Sequence, residues 1–432
     1  MKIKYFRTFC LLSETKGIII EMNHLNRWIY ASVGVVIMLL AGLVYAWTVL
    51  QAPIAMMYKE WTKSQLSVTF TIIMFCFCLG GFLGGVMQKK LTPRVIVWIS
   101  ALLFLAGFSI TSVADSLITL YLGFGVLAGL ASGLVYNAVM SSVTSWFPDK
   151  QGFISGLLLM GFGISGFIIG KVYTAVTPMD SNGGWRTTFL VFGFIIFVVM
   201  AFAGFFIVKN DKQWDVDVTE NVKESEKSYE EICSKEMVVR PSFWLYLFWA
   251  TSLSAAGLAI ISQGAPMAME ACPEITMSTV ATVVGLISVF NGVGRIVFGT
   301  LFDKIGHFFT MVIGSVIFII AIILLITALT SHMMVLLIVA YIVTGLAYGC
   351  ITPTGSAYVN RFYGSKNYPI NLSVVNMNML VSSFGSMAAG IVFDLTHSYV
   401  AILEMVIILV VLGTVASFFI RKPKEAHLPV IQ

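Results

Sequence analysis

Along the 432-residue chain, long apolar stretches alternate with short breaks of charged and turn-forming residues. Twelve such runs are marked, at about 29–55, 65–88, 94–114, 117–143, 152–176, 186–208, 242–269, 276–302, 308–330, 333–359, 368–393 and 398–420. A helix needs roughly 20 apolar residues to cross about 30 Å of hydrocarbon, and every run meets or exceeds that length. The pattern predicts an all-α membrane protein with 12 transmembrane helices.

One stretch breaks the rhythm. Residues Lys209 to Arg240, "KNDKQWDVDVTENVKESEKSYEEICSKEMVVR", mix both signs of charge with hardly any aliphatic clustering, the composition of a solvated connector that cannot fold alone. The chain therefore reads as an N-terminal tail (1–22), a six-helix bundle (23–208), a linker (209–241), a second six-helix bundle (242–421) and a C-terminal tail (422–432). Lysine and arginine set the orientation, because cytoplasmic loops carry their excess. Of the 26, twenty-one fall on the side of the chain ends, four on the other, and Arg295 lies alone inside a span. Both termini are expected in the cytoplasm. Met22 stands directly before the first run and is an alternative start to Met1.

The two bundles repeat. "APIAM" at Ala52 to Met56 returns as "APMAM" at Ala265 to Met269, an offset of 213. "GLASG" at Gly129 to Gly133 returns as "GLAYG" at Gly345 to Gly349, offset 216, and the loop Gly85 to Arg94 aligns without gaps on Gly299 to Phe308, offset 214. Three matches at nearly one offset indicate two bundles related by a pseudo-two-fold axis, the plan of a transporter that rocks one bundle against the other around a midplane site.

Composition narrows the classes. With 58% hydrophobic and 11% charged residues, the chain is far from the roughly 25% charge of a soluble domain. The net charge of +5 is scattered between apolar runs, so nucleic acid is not an expected partner; the lipid bilayer and a small solute are. The six cysteines show neither a secreted disulfide pattern nor metal-ligand spacing. The glycine clusters Gly80 to Gly85 and Gly161 to Gly166 lie inside apolar runs, where they serve close helix packing rather than phosphate binding. No nucleophile, base and orienting group gather in one place, so an enzyme is not expected, nor a cofactor or metal, and a monomer is.

Arg295 carries the chemical reading. An intramembrane charge costs several kcal/mol and by default faces a solute path. Arginine cannot be neutralised, and its planar fork fits a carboxylate with two parallel hydrogen bonds. Asp303 is eight residues on, about 12 Å along the helix, too far for direct pairing. The alternative is an arginine that snorkels to the interface or serves in a structural pairing. Asn291, one turn before Arg295, lies on the same face.

Gly299, Asp303, Lys304 and Gly306 form the pattern Gly, three residues, Asp, basic, any, Gly. With the six-plus-six arrangement it resembles the major facilitator superfamily, in which this loop latches the inner gate. In the first half the pattern is degraded: Lys89 replaces the aspartate and Thr92 the glycine, leaving Lys90 and Arg94 as its basic residues and that latch in doubt. "YAWTVLQAPI" from Tyr45, "GWRTTFLVFG" from Gly184 and "NGVGRIVFGTLFDKIG" from Asn291 further resemble the oxalate/formate antiporter family and related monocarboxylate carriers. That resemblance implies that Arg295 binds substrate, with Tyr45 and Gln51, and less securely Tyr136 and Tyr348, lining the site. It also implies a second cation in the eleventh helix for oxalate. No lysine or arginine occurs between Asn367 and Arg421, and Asn376 and Asn378 are the neutral polar candidates there. One fixed cation suits one carboxylate, such as formate, lactate or pyruvate. Asn291 cannot titrate where animal monocarboxylate carriers place an aspartate, so antiport or uniport is favoured over proton symport. Competing readings are an oxalate or other dicarboxylate exchanger, a drug or metabolite exporter of the same fold, and a non-transporting membrane sensor.

Overall fold

The computed structural model describes residues 26–61, 63–177, 183–209, 231–275 and 277–420. Both tails and most of the linker lie outside the described residues. What is described is helical, without strands.

Asn26 accepts a hydrogen bond from the Trp28 amide at 3.0 Å and opens α1, which runs Arg27–Ala46. Its last five residues, Gly42–Ala46, tighten into a 3-10 turn, followed by the short helices Trp47–Leu50 and Ala52–Met57. Then come α2 (Lys63–Met87), α3 (Pro93–Ser112), α4 (Leu117–Thr144), α5 (Gln151–Val176) and α6 (Gly184–Gly204). Pro93 opens α3 where a missing N–H costs nothing, and α4 carries a π-helical stretch at Tyr121–Ala128. After a short helix, Ser234–Met237, α7 follows at Pro241–Ala271. The next helical stretch spans Met277–Ser331 and is interrupted at Gly306, whose φ of 79° leaves the helical region. At 1.5 Å per residue it would reach about 80 Å, far more than one bilayer, so the glycine separates α8 (277–305) from α9 (307–331). The chain ends with α10 (Met334–Tyr363), α11 (Tyr368–Thr396) and α12 (Tyr399–Phe418). Among the described residues, eleven apolar helical stretches are long enough to span, and the break at Gly306 divides the longest of them in two.

Large apolar side chains point outward along the bundle, among them Phe194, Phe202, Ile118 and Leu395, a surface that only hydrocarbon solvates cheaply. Inside, glycines let backbones touch. A Cβ on Gly133 would lie 2.0 Å from the Phe77 carbonyl oxygen, which locks the α2–α4 crossing. The end of the linker is not a loose solvated strand: Ile232 and Met237 are buried, and the Glu231 carboxylate accepts from the Ser365 and Lys366 amides at 3.2 and 2.9 Å, bracing the α10–α11 loop.

Candidate functional site

Arg27, Asp149, Asp303 and the α10–α11 loop mark one end of the bundle, the terminal end. There α5, from the first half of the chain, packs directly on α8, from the second. A Cβ on Gly152 or on Gly299 would fall 2.2 or 2.1 Å from the other's carbonyl oxygen, and one on Gly156 would fall 2.2 Å from that of Arg295. The antiparallel seam continues to Gly292 against Met160. Asp303 closes its outer rim. Its Oδ1 accepts from the Gly152 amide and its Oδ2 from the Phe153 amide, each at 2.8 Å, so the carboxylate caps the positive N-terminus of α5.

Arg295 lies two turns deeper and is 7% exposed. Helical side chains lean toward their own N-terminus, which carries the guanidinium away from Asp303 and toward mid-bundle. It reaches α5, where Nη1 donates to the Leu159 carbonyl. The vacancy expected around this arginine is therefore filled in part by a backbone oxygen that no side-chain pattern reveals. Nε has no partner, and neither the Arg27–Asp149 nor the Arg186–Asp115 ion pair involves Arg295. A Cβ on Gly163 would sit 2.8 Å from Nη1, so the guanidinium lies in a groove that this glycine leaves open.

Tyr45, Tyr136 and Tyr348 stand within electrostatic reach of Arg295. Phe162 of α5 holds two of them, its ring 5.5 Å from that of Tyr45 and 5.4 Å from that of Tyr136. Tyr348 lies against Gly257 of α7, where any side chain would collide with its ring. Tyr136 accepts a hydrogen bond from Asn376 Nδ2 at 3.4 Å, at the point where α11 breaks around Met377. Asn378 is buried just past that break, its carbonyl accepting from Ser382. Asn291 Oδ1 and Gln51 Oε1 are buried without partners, which suits groups that wait for a solute. Of the basic residues named for gating, Lys90 and Lys304 are exposed and Arg94 donates to the Phe205 carbonyl at the end of α6, within its own half.

A second set of bonds joins the halves without charge. Asn137 of α4 donates to the Pro369 carbonyl at 2.7 Å and to Ser373 Oγ at 2.5 Å, both on α11, and accepts from Gln88 Nε2 at 2.8 Å. Ser373 donates to the Gly81 carbonyl, and Ser155 Oγ meets Ser356 Oγ at 2.6 Å. Sequence reasoning passed over this cluster, although an asparagine inside an apolar run is the same kind of signal that drew attention to Arg295. At the opposite end, Arg186 bridges Asp115 at 2.5 Å and Tyr58 at 2.8 Å. The hydrogen bonds from Tyr58 and then Arg186 hold the Asp115 carboxyl below its ordinary range.

A bundle whose two halves meet around a buried arginine with no acid paired to it among the described residues, closed at one end by bonds between them, is the form of a rocking carrier. The family model of the Major Facilitator Superfamily matches residues 34–331 and again 273–431. The chain belongs to the Major Facilitator Superfamily. It is a multi-pass membrane transporter. It is 26% identical to the oxalate:formate antiporter of Oxalobacter formigenes, covering 79% of this chain and 80% of that protein. It is 25% identical to the MFS-type transporter YhjX of Escherichia coli (strain K12), covering 83% and 86%. Over a shorter stretch, 22% of this chain and 18% of its relative, it is 35% identical to the apicoplast pyruvate carrier 1 of Toxoplasma gondii. Among solved structures, the fold is similar to a double Trp mutant of XylE (TM-score 0.66, 13% identity, 92% of this chain and 97% of that one). It is also similar to FucP in the outward conformation (TM-score 0.62, 13% identity, 89% and 98%).

Proposed function

We propose that the protein moves small monocarboxylates across a cell membrane by alternating access, with Arg295 as the anchor for the carboxylate and the terminal end facing the cytoplasm. The observation that carries this reading is a guanidinium in the bundle interior with Nε unpartnered and no carboxylate paired to it among the described residues. Its open face suits an anion, and Asn291, Gln51 and the tyrosines supply neutral polar atoms around one. The likeness to the oxalate:formate antiporter and to the pyruvate carrier supports an organic anion. Asp303 on the α5 N-terminus is the gate contact at the cytoplasmic end.

The test is counterflow of labelled formate, L-lactate, pyruvate and oxalate in proteoliposomes. Replacing the buried cation in Arg295→Gln removes charge-assisted bonds of about 1.5–3 kcal/mol each and is expected to lower uptake at least about a hundredfold. Full uptake by Arg295→Gln overturns the anchor. The second reading, an oxalate exchanger, is favoured by the same relative's name and coverage. Preference for oxalate over every monocarboxylate would establish it.

A further inference from the structure

Arg295 is on α8 and the Leu159 carbonyl is on α5, so the anchor's own hydrogen bond crosses from one half of the transporter to the other. It lies on the α5–α8 seam that Gly152, Gly156 and Gly299 hold at backbone contact. The guanidinium can lie along α5 only because position 163 lacks a side chain. We propose that Leu159 and Gly163 form a seat that holds Arg295 in place of a substrate carboxylate, so that the empty carrier is locked shut at its terminal end and only the carboxylate releases it. The proposal rests on Arg295 being the anchor and adds what happens when no substrate is there.

A neutral carbonyl accepts one hydrogen bond from the fork, whereas a carboxylate accepts two and brings an opposite charge. An arriving anion therefore outcompetes the carbonyl. Taking Nη1 from Leu159 removes one of the bonds that keep α5 and α8 together, and the contacts that remain, the Asp303 cap on α5 and the neutral bonds around Asn137 and Ser155, hold the gate less tightly than they did with it. A ligand shifts a two-state equilibrium by its differential affinity for the two states, and here the difference is written into one bond. The consequence is strict exchange: the loaded carrier reorients and the empty one does not. Gly163 is then a positioning residue for the anchor.

The test uses Gly163→Ala in proteoliposomes, comparing exchange with net efflux into buffer without counter-substrate, for formate, pyruvate and L-lactate in turn. The added methyl displaces the guanidinium from the Leu159 carbonyl. Net efflux is expected to rise toward the exchange rate, so that their ratio falls on the order of tenfold. An unchanged ratio, or a proportional fall in both fluxes, overturns the proposal. Should Gly163→Ala fail to fold, hydrogen exchange of residues 151–158 in the wild-type carrier decides. Protection that drops when one of those three acids is added supports the lock, and protection that stays the same or rises overturns it. Failure of the anchor itself is recognised separately, because Arg295→Gln would then retain counterflow.

Discussion

The two loops that repeat at an offset of 214 residues meet the opposite half in the same way and hold it by different chemistry. Gly299 lies against the Gly152 carbonyl and the Phe153 amide, and Gly85 lies against the Pro369 carbonyl and Ile370, so Pro369 stands where Gly152 stands. On the first of these seams Asp303 takes two backbone amides. On the second the matching position is Lys89, exposed, and a network of Asn137, Gln88, Ser141 and Ser373 joins the helices. Proline has no N–H, so a carboxylate at position 89 would find one donor instead of two. The lysine at 89 and the proline at 369 are consistent with each other: the one supplies no carboxylate, and the other lacks an N–H that such a carboxylate would take. A duplicated motif can thus lose its charge on one side when its partner's backbone stops offering the donors.

The largest expected effect comes from the charged clasp. Asp303→Asn leaves the fold in place but removes the negative charge from the α5 N-terminus and turns an amide toward an N–H that needs an acceptor. The cost to the closed form is about 2 kcal/mol, roughly thirtyfold in the gate equilibrium. Hydrogen exchange of the Gly152 and Phe153 amides should accelerate by that factor. Acceleration of less than about threefold would remove the distinction between the clasps.

The neutral clasp should matter less. Asn137→Ala deletes its bonds to Pro369, Ser373 and Gln88, yet Ser373 keeps the Gly81 carbonyl and Ser141 keeps Gln88. With those partial replacements the loss is about 1 kcal/mol, seen as a fivefold or so faster exchange at the start of α11. A larger effect than that of Asp303→Asn would reverse the ranking.

What the sequence revealed follows the same division between side chain and backbone. The helices, the repeat, Arg295 and Asp303 were legible because each is a matter of side-chain polarity against an apolar background. The acceptor of Arg295 and the donors to Asp303 are main-chain atoms of Leu159, Gly152 and Phe153, and a backbone carbonyl or amide is the same whatever residue carries it. The 3-10 turn at Gly42–Ala46 and the break in α11 at Met377 escaped for a related reason: no proline lies within them, and tertiary contacts rather than local propensity set them. Asn137 was legible and was missed.

The smallest single effects give the sharpest test of why the clasps differ. Lys89→Asp alone restores the loop pattern of the second half, but its carboxylate faces Pro369 and is expected to change gate closure by less than about 0.5 kcal/mol, the range of an isolated surface substitution. Pro369→Ala alone restores an N–H at the start of α11, costs a few tenths of a kcal/mol of helix preorganisation, and gains nothing without an acceptor. Together the two should build on α11 the carboxylate cap that Asp303 builds on α5. The double mutant should then be more closed than the sum of the single variants predicts, with a coupling of about 1 kcal/mol measured as slower exchange of the amides at 370 and 371. Additive behaviour would mean that Pro369 is not what displaced the aspartate, and the asymmetry of the two loops would have to come from the Gln88–Asn137 network instead.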